Sequence, residues 1–215
     1  MADILQKIKD WDLTNKDSSI TMNLDYTELT EISDVVDRKL WFIGEVDENI
    51  IGTMVYNILR YNAMDKDIPV EKRKPIYLYI SSPGGEVMNG LGLVSAIQTS
   101  KTPVYTIVLA EACSMGLVIS IAAHKRYCMP NAVYLMHDGS TGVIDSSAKA
   151  RDRISFDCGD LADRLKKIIL EKTKLTKKQY DDKYRQEWYF LPETAKKYGF
   201  TDYIIGEDCE LDEIL

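Results

Sequence analysis

Short apolar runs alternate along most of this chain with longer stretches of helical period, and that alternation restricts the fold more than any other feature. LWFIG (40–44), IYLYIS (76–81), VYTIVLA (104–110) and AVYLMH (132–137) read as strands, separated by helical stretches at 48–64, 87–100 and 114–124. A strand that is apolar at nearly every position has to be covered on both faces. With helices between the strands, this predicts an α/β fold of stacked βαβ units around a buried, largely parallel sheet. The 215 residues, 45% of them hydrophobic, are enough for one such domain with its own core. We place that domain at 39–205. Residues 1–38 are polar, acidic and weakly periodic, with NKDSS at 15–19, which predicts a partly ordered arm. The last ten residues, GEDCELDEIL (206–215), read as an acidic tail.

Composition removes several classes of function. The formal net charge is −7, with 27 Lys and Arg interspersed among 34 Asp and Glu, so there is no basic surface for nucleic-acid phosphates. The N-terminus, MADILQKIKDWDLTNKDSS, lacks the apolar centre of a signal peptide, and the longest apolar stretches fall well short of the ~18 residues that a membrane span needs. The expected chain is soluble and cytoplasmic, with no membrane partner. Cys113, Cys128, Cys158 and Cys209 form no CxxC pair and have no histidine cluster beside them, so they read as reduced core thiols and no metal is expected.

The segment 146–174 carries Ile154, Cys158, Leu161, Leu165 and Ile168 at spacings of three and four, the pattern of one amphipathic helix face. Unbroken, it would be ~40 Å long at ~1.5 Å per residue, more than the diameter of a small domain. It would then project, and its apolar stripe would need a partner, which points to self-association. The alternative is a helix broken near Gly159 and packed on its own sheet. Beyond it come a short helical piece (177–184), QEWYF (186–190), a helix opened by Pro192 and closed by Gly199, and a short strand, DYII (202–205).

Chemistry is concentrated at three strand ends. Ser114 stands where VYTIVLA gives way to the helix-like MGLVISIAA. Serine at such a join usually only caps the helix, but a strand-to-helix turn can also project a nucleophilic hydroxyl. The next residue, Met115, would then supply a backbone N–H to an oxyanion. A second donor would come from the SSPGGEV turn (81–87), where glycines let backbone N–H groups approach a ligand. His137 ends AVYLMH, at the carboxyl edge where open parallel sheets carry their sites. The other histidine, His124, precedes Lys125 and Arg126 and reads as a surface residue at a helix end. Cys113 is a rival nucleophile, although a small packing residue is the simpler reading.

The runs YLYISSPGGEVMNGLGL, EACSMGLVISIAA, KRYCMPNAVYLMH and PETAKKYGFTDYII closely resemble the proteolytic subunits of the Clp protease family, in collinear order over roughly 40–205. The resemblance implies a crotonase-like fold whose protruding helix, here about 146–174, interlocks two seven-membered rings around a chamber. It makes Ser114 the nucleophile, His137 the general base, and the N–H groups of Gly85 and Met115 the oxyanion hole. The family's third member is an aspartate, and aligning the PETAKKYG helix puts that position at Glu187. Asp138, Asp181 and Asp182 remain rival orienting groups. The implied activity is serine endopeptidase hydrolysis of unfolded proteins and peptides, fed by an ATP-using AAA+ unfoldase of Clp type. The chain itself would need no cofactor.

Three features depart from the family pattern: a longer N-terminal arm without the usual axial-loop sequence, DGSTGVIDSS after the histidine, and Glu187 preceded by Gln186 where arginine is common. Two other readings are a non-catalytic ring subunit and a crotonase-like acyl-CoA enzyme. The first has no physical need of Ser114 and His137. The second would need a carboxylate at the carbonyl and a basic patch for the CoA phosphates.

Overall fold

The computed structural model describes residues 26–214. Helix α1 (Tyr26–Val36) leads into β1 (Lys39–Ile43), and a wide π-type turn (Ile51–Val55) continues into α2 (Tyr56–Met64). There follow β2 (Ile76–Ser82), α3 (Val87–Thr99), β3 (Val104–Cys113), α4 (Met115–Ile121), β4 (Lys125–Cys128) and β5 (Val133–Met136). The remainder comprises α5 (Ser147–Phe156), a second π-type turn (Asp157–Leu161), α6 (Ala162–Lys172), α7 (Lys177–Tyr184), β6 (Trp188–Phe190), α8 (Pro192–Tyr198) and β7 (Tyr203–Ile204).

The sheet runs β1-β2-β3-β4-β7 with every neighbouring pair parallel, as continuously apolar strands require. Its centre is β3, which divides its partners. Tyr105–Val108 pair with β4, while Glu111–Cys113 pair with β5. An irregularity opposite Ile80–Ser82 of β2 separates the two halves, a kind of bulge common beside active sites. Strand β6 then adds to β5 antiparallel, with Met136 opposite Trp188 and Tyr134 opposite Phe190. This branch sets the positions of the site residues: one follows β3, one follows β5, and one precedes β6.

The main core lies between the sheet and the helices, where Ile58, Ile76, Leu93, Ile97 and Leu117 are fully buried and every residue of α4 is inside. The opposite face carries an aromatic ladder from Trp41 on Tyr79 to Tyr77, Tyr105, Tyr127 and Tyr203.

The described residues add detail to several of these readings and correct that of four core thiols. Residues 1–25 of the expected arm lie outside the described residues, but Tyr26–Val36 form a helix. Its sequence has Leu29, Ile32 and Val35 at helical spacing, and Val35 C=O accepts the Tyr61 hydroxyl at 2.6 Å. The KRYC strand leaves no strand signal in the sequence, because it is short and opens with two charges. It takes its place through pairing with β3, and His124 just before it accepts the Val104 N–H at Nδ1, 3.0 Å away. His124 therefore has a structural part at a strand start.

The projecting helix is not broken near Gly159. Backbone dihedrals stay helical from α5 through the π-type turn into α6, so the run extends from Ser147 to Lys172, ~40 Å. Its proximal part buries Ile168 and Ile169, and its distal part buries nothing. Among the cysteines, Cys113 and Cys128 are core residues, but Cys158 is exposed and Cys209 half-buried. The acidic tail also folds back. Ile214 is 2% exposed against Tyr79, Ile107, Tyr127 and Ile205, and its carbonyl accepts the Tyr79 hydroxyl at 3.0 Å.

Candidate active site

Ser114 has φ 52° and ψ −121°, a conformation that a residue with a Cβ avoids. Strain of this kind costs about 1–3 kcal/mol and persists only where the surroundings enforce it. Here the Ser114 N–H donates to Leu135 C=O on β5 at 2.9 Å, and its own carbonyl accepts the Leu117 and Val118 N–H groups of α4. The side chain makes no capping hydrogen bond, so the serine does not serve α4 in the ordinary way and its hydroxyl is left available.

The PGG turn is built against this serine. Gly84 and Gly85 have φ +104° and +141°. Ser82 Oγ accepts the Gly84 N–H at 3.2 Å, Val46 N–H donates to Gly84 C=O, and Glu86 N–H donates to Val46 C=O, both at 2.7 Å. A Cβ on Gly84 would lie 2.7 Å from Ser114 Cβ and 3.1 Å from Met115 N, and one on Gly85 would lie 2.4 Å from Val46 O. Only glycine permits so close an approach. The clamp engages both neighbours of the Gly85 N–H but not that N–H itself, and among the described residues the Met115 N–H, first of its helix, likewise has no backbone acceptor. Two unsatisfied donors thus stand on touching turns beside one serine.

His137 follows β5 and Glu187 precedes β6, so the pairing of Met136 with Trp188 brings them side by side. His137 Nδ1 lies 2.8 Å from Glu187 Oε1. With the carboxylate ionised, Nδ1 donates and Nε2 is left as the free base. The His137 side chain is 23% exposed and that of Glu187 62% exposed. Glu187 is nevertheless well placed by its backbone, because the next residue, Trp188, packs on Phe190 and Tyr198 and carries the Lys183 ammonium over its ring at 4.1 Å. Ser114 and His137 are not hydrogen-bonded to each other in this conformation, a looseness common in sites without substrate.

The rivals are placed elsewhere. Asp181 pairs with Lys166 and Lys177, which hold its carboxyl below the usual range. Asp182 offers its backbone carbonyl to Gln186, and Asp138 is an exposed loop residue. Cys113 is no rival nucleophile, since burial and the neighbouring Glu111 push its thiol up to about 12. Sequence reasoning missed Val46 and Leu135, whose backbone groups clamp the two turns. Apolar residues that act through their main chain leave no sequence signal. Gly84 was read together with Gly85, and the structure puts it nearer the serine.

A family model described as Clp protease matches residues 27–208. The ATP-dependent Clp protease proteolytic subunit of Streptococcus mutans serotype c is 36% identical, over 81% of this chain and 87% of the relative. Proteins of the same description from Streptococcus uberis and Streptococcus equi subsp. equi are 35% and 33% identical over the same shares. With both turns, the divided β3 and the projecting helix in place, the chain belongs to the Clp protease family.

Proposed function

We propose that this chain is the serine endopeptidase subunit of a self-compartmentalising Clp-type protease. The observation that carries the reading is the strained Ser114 turn, whose hydroxyl caps nothing and which is flanked by the free N–H groups of Gly85 and Met115. Ser114 Oγ attacks the peptide carbonyl carbon while His137 Nε2 takes its proton. Glu187 holds Nδ1–H and stabilises the imidazolium, and the carbonyl oxygen, now negative, is received by the two N–H groups. The imidazolium returns its proton to the leaving amine, and water activated by the same histidine releases the acyl group. Each backbone donor of this type is worth about 10²–10³ in rate.

Glutamate in the third position is supported by its 2.8 Å contact to His137. In this reading, copies assemble as two stacked seven-membered rings through the exposed distal part of the projecting helix, where Ile154 and Phe156 are 44% exposed. An ATP-using unfoldase threads unfolded proteins into the chamber, so the chain works without a cofactor of its own. No helix among the described residues is long and apolar enough to cross a membrane, which fits a cytoplasmic setting.

The test is labelling by a fluorophosphonate probe with particle mass measured in parallel. Labelling of a large particle, abolished by Ser114→Ala, is the expected result. A large particle that resists labelling would favour the non-catalytic ring subunit.

A further inference from the structure

Beside the candidate oxyanion glycine opens a groove of about 1060 Å³, between the 45–47 segment with the start of α3 and the projecting helix. Gly85 lines it, and so does Asp138, the residue after His137. The groove thus adjoins the site on both the oxyanion and the histidine side, within reach of side chains that flank a bond held at Ser114. Its apolar surface comes from Val46, Val87, Leu161, Ala162 and Leu165.

The charges around that surface are one-sided. Glu45, Asp47, Glu86 and Asp138 all line the groove. Asp47 accepts from Asn49 and Glu86 from Asn89, neutral donors that fix the carboxylates without cancelling their charge. Of the two lining arginines, Arg153 is spent on Asp157 one helical turn away. Arg185 is then the one lining cation, among the described residues, not paired within the groove, against four carboxylates. A concave surface with one sign of charge focuses its field, so exposed carboxylates that would each count for little act together.

We propose that this groove selects peptides with an arginine or lysine beside the scissile bond. The aliphatic stem lies on the apolar surface while the cationic head reaches Glu45, Glu86 and Asp138. A leucine fills the same surface but gains nothing from the carboxylates, and a glutamate is repelled. The inference rests on the reading of the chain as a peptidase, yet it can be tested without turnover.

The experiment measures binding of three dye-labelled peptides, identical except for Arg, Leu or Glu at one position, to the Ser114→Ala variant by fluorescence polarisation. The Arg peptide should bind roughly tenfold more tightly than the Leu peptide at low salt, a gap that closes in ~0.5 M salt. Glu45→Gln with Glu86→Gln should remove most of the gap and leave the Leu affinity unchanged, with circular dichroism verifying the fold. Equal affinities, a tighter Leu peptide or no binding of the Arg peptide overturns the proposal. So does a preference that survives high salt or both substitutions. Fluorophosphonate labelling of the unsubstituted chain judges the peptidase reading separately, so the two can fail independently.

Discussion

Ser114 and His137 follow neighbouring strands, yet the two halves of the site are held in different ways. The serine half is made of backbone: a strained φ, two positive-φ glycines and a Val46 clamp, all tied to β2, β3 and β5. The histidine half depends on one side-chain contact between a partly exposed imidazole and a largely exposed carboxylate. Backbone geometry of the first kind cannot relax without disturbing the core, whereas the second can swing at little cost. Bringing Ser114 and His137 into hydrogen-bond contact should therefore come more easily from the side chains of His137 and Glu187 than from the strained turn of the nucleophile.

The largest expected effect isolates chemistry from structure. Ser114→Ala should lower peptide hydrolysis by at least ~10⁴-fold, as loss of a triad nucleophile does, while the thermal midpoint stays close to that of the parent because alanine fits the same turn. Gly85→Ala should couple the two properties. Its Cβ would meet Val46 O at 2.4 Å in a backbone with φ +141°, so the clamp has to open. Hydrolysis should fall ~10²–10³-fold as the Gly85 N–H is displaced from the oxyanion position, and stability by about 1–3 kcal/mol. A stable, active Gly85→Ala protein in urea titration and peptide assay would show that the backbone half is softer than this contrast allows.

Glu187→Gln probes the other half, with an effect of intermediate size. The amide cannot stabilise an imidazolium or enforce the tautomer, so the rate should fall about 10²–10³-fold. Stability should change by less than ~0.5 kcal/mol, because the side chain is 62% exposed. Glu187→Asp should retain more activity than Glu187→Gln but less than the parent, since the charge is kept and the reach is shortened by a methylene. A Glu187→Asp variant faster than the parent would mean that the longer side chain holds His137 poorly.

The same division explains what could be read from the chain. Strand ends and glycine turns are written in local sequence, so SSPGGEV, Ser114 and AVYLMH pointed to their positions directly, and continuous apolar strands implied the parallel sheet. Glu187 had no local signature. Its role depends on β6 returning antiparallel to β5, a long-range pairing that periodicity does not encode, and it was placed by family resemblance alone. The strand at Lys125–Cys128 and the docking of Ile214 on the aromatic face were hidden for a related reason. Each is polar or short in sequence and owes its position to a partner far along the chain. The projecting helix was legible as one unbroken period over about 146–174, and a π-type turn carries it past Gly159 without ending it.

The smallest expected effects concern the carboxylates that compete with Glu187. Asp181 bridges α7 to the projecting helix through Lys166 and is also paired with Lys177, so its charge is already engaged away from His137. Asp181→Ala should leave the thermal midpoint close to that of the parent, since exposed pairs contribute little, and change kcat/KM by less than about twofold. Asp182→Ala should do still less, since it is the backbone carbonyl of that residue, retained in alanine, that meets Gln186. A loss at Asp182 larger than that at Glu187 would move the orienting role onto α7. The histidine half would then have to shift by a whole element before catalysis, rather than by one side chain, and the contrast between a backbone-held nucleophile and a side-chain-held base would become sharper still.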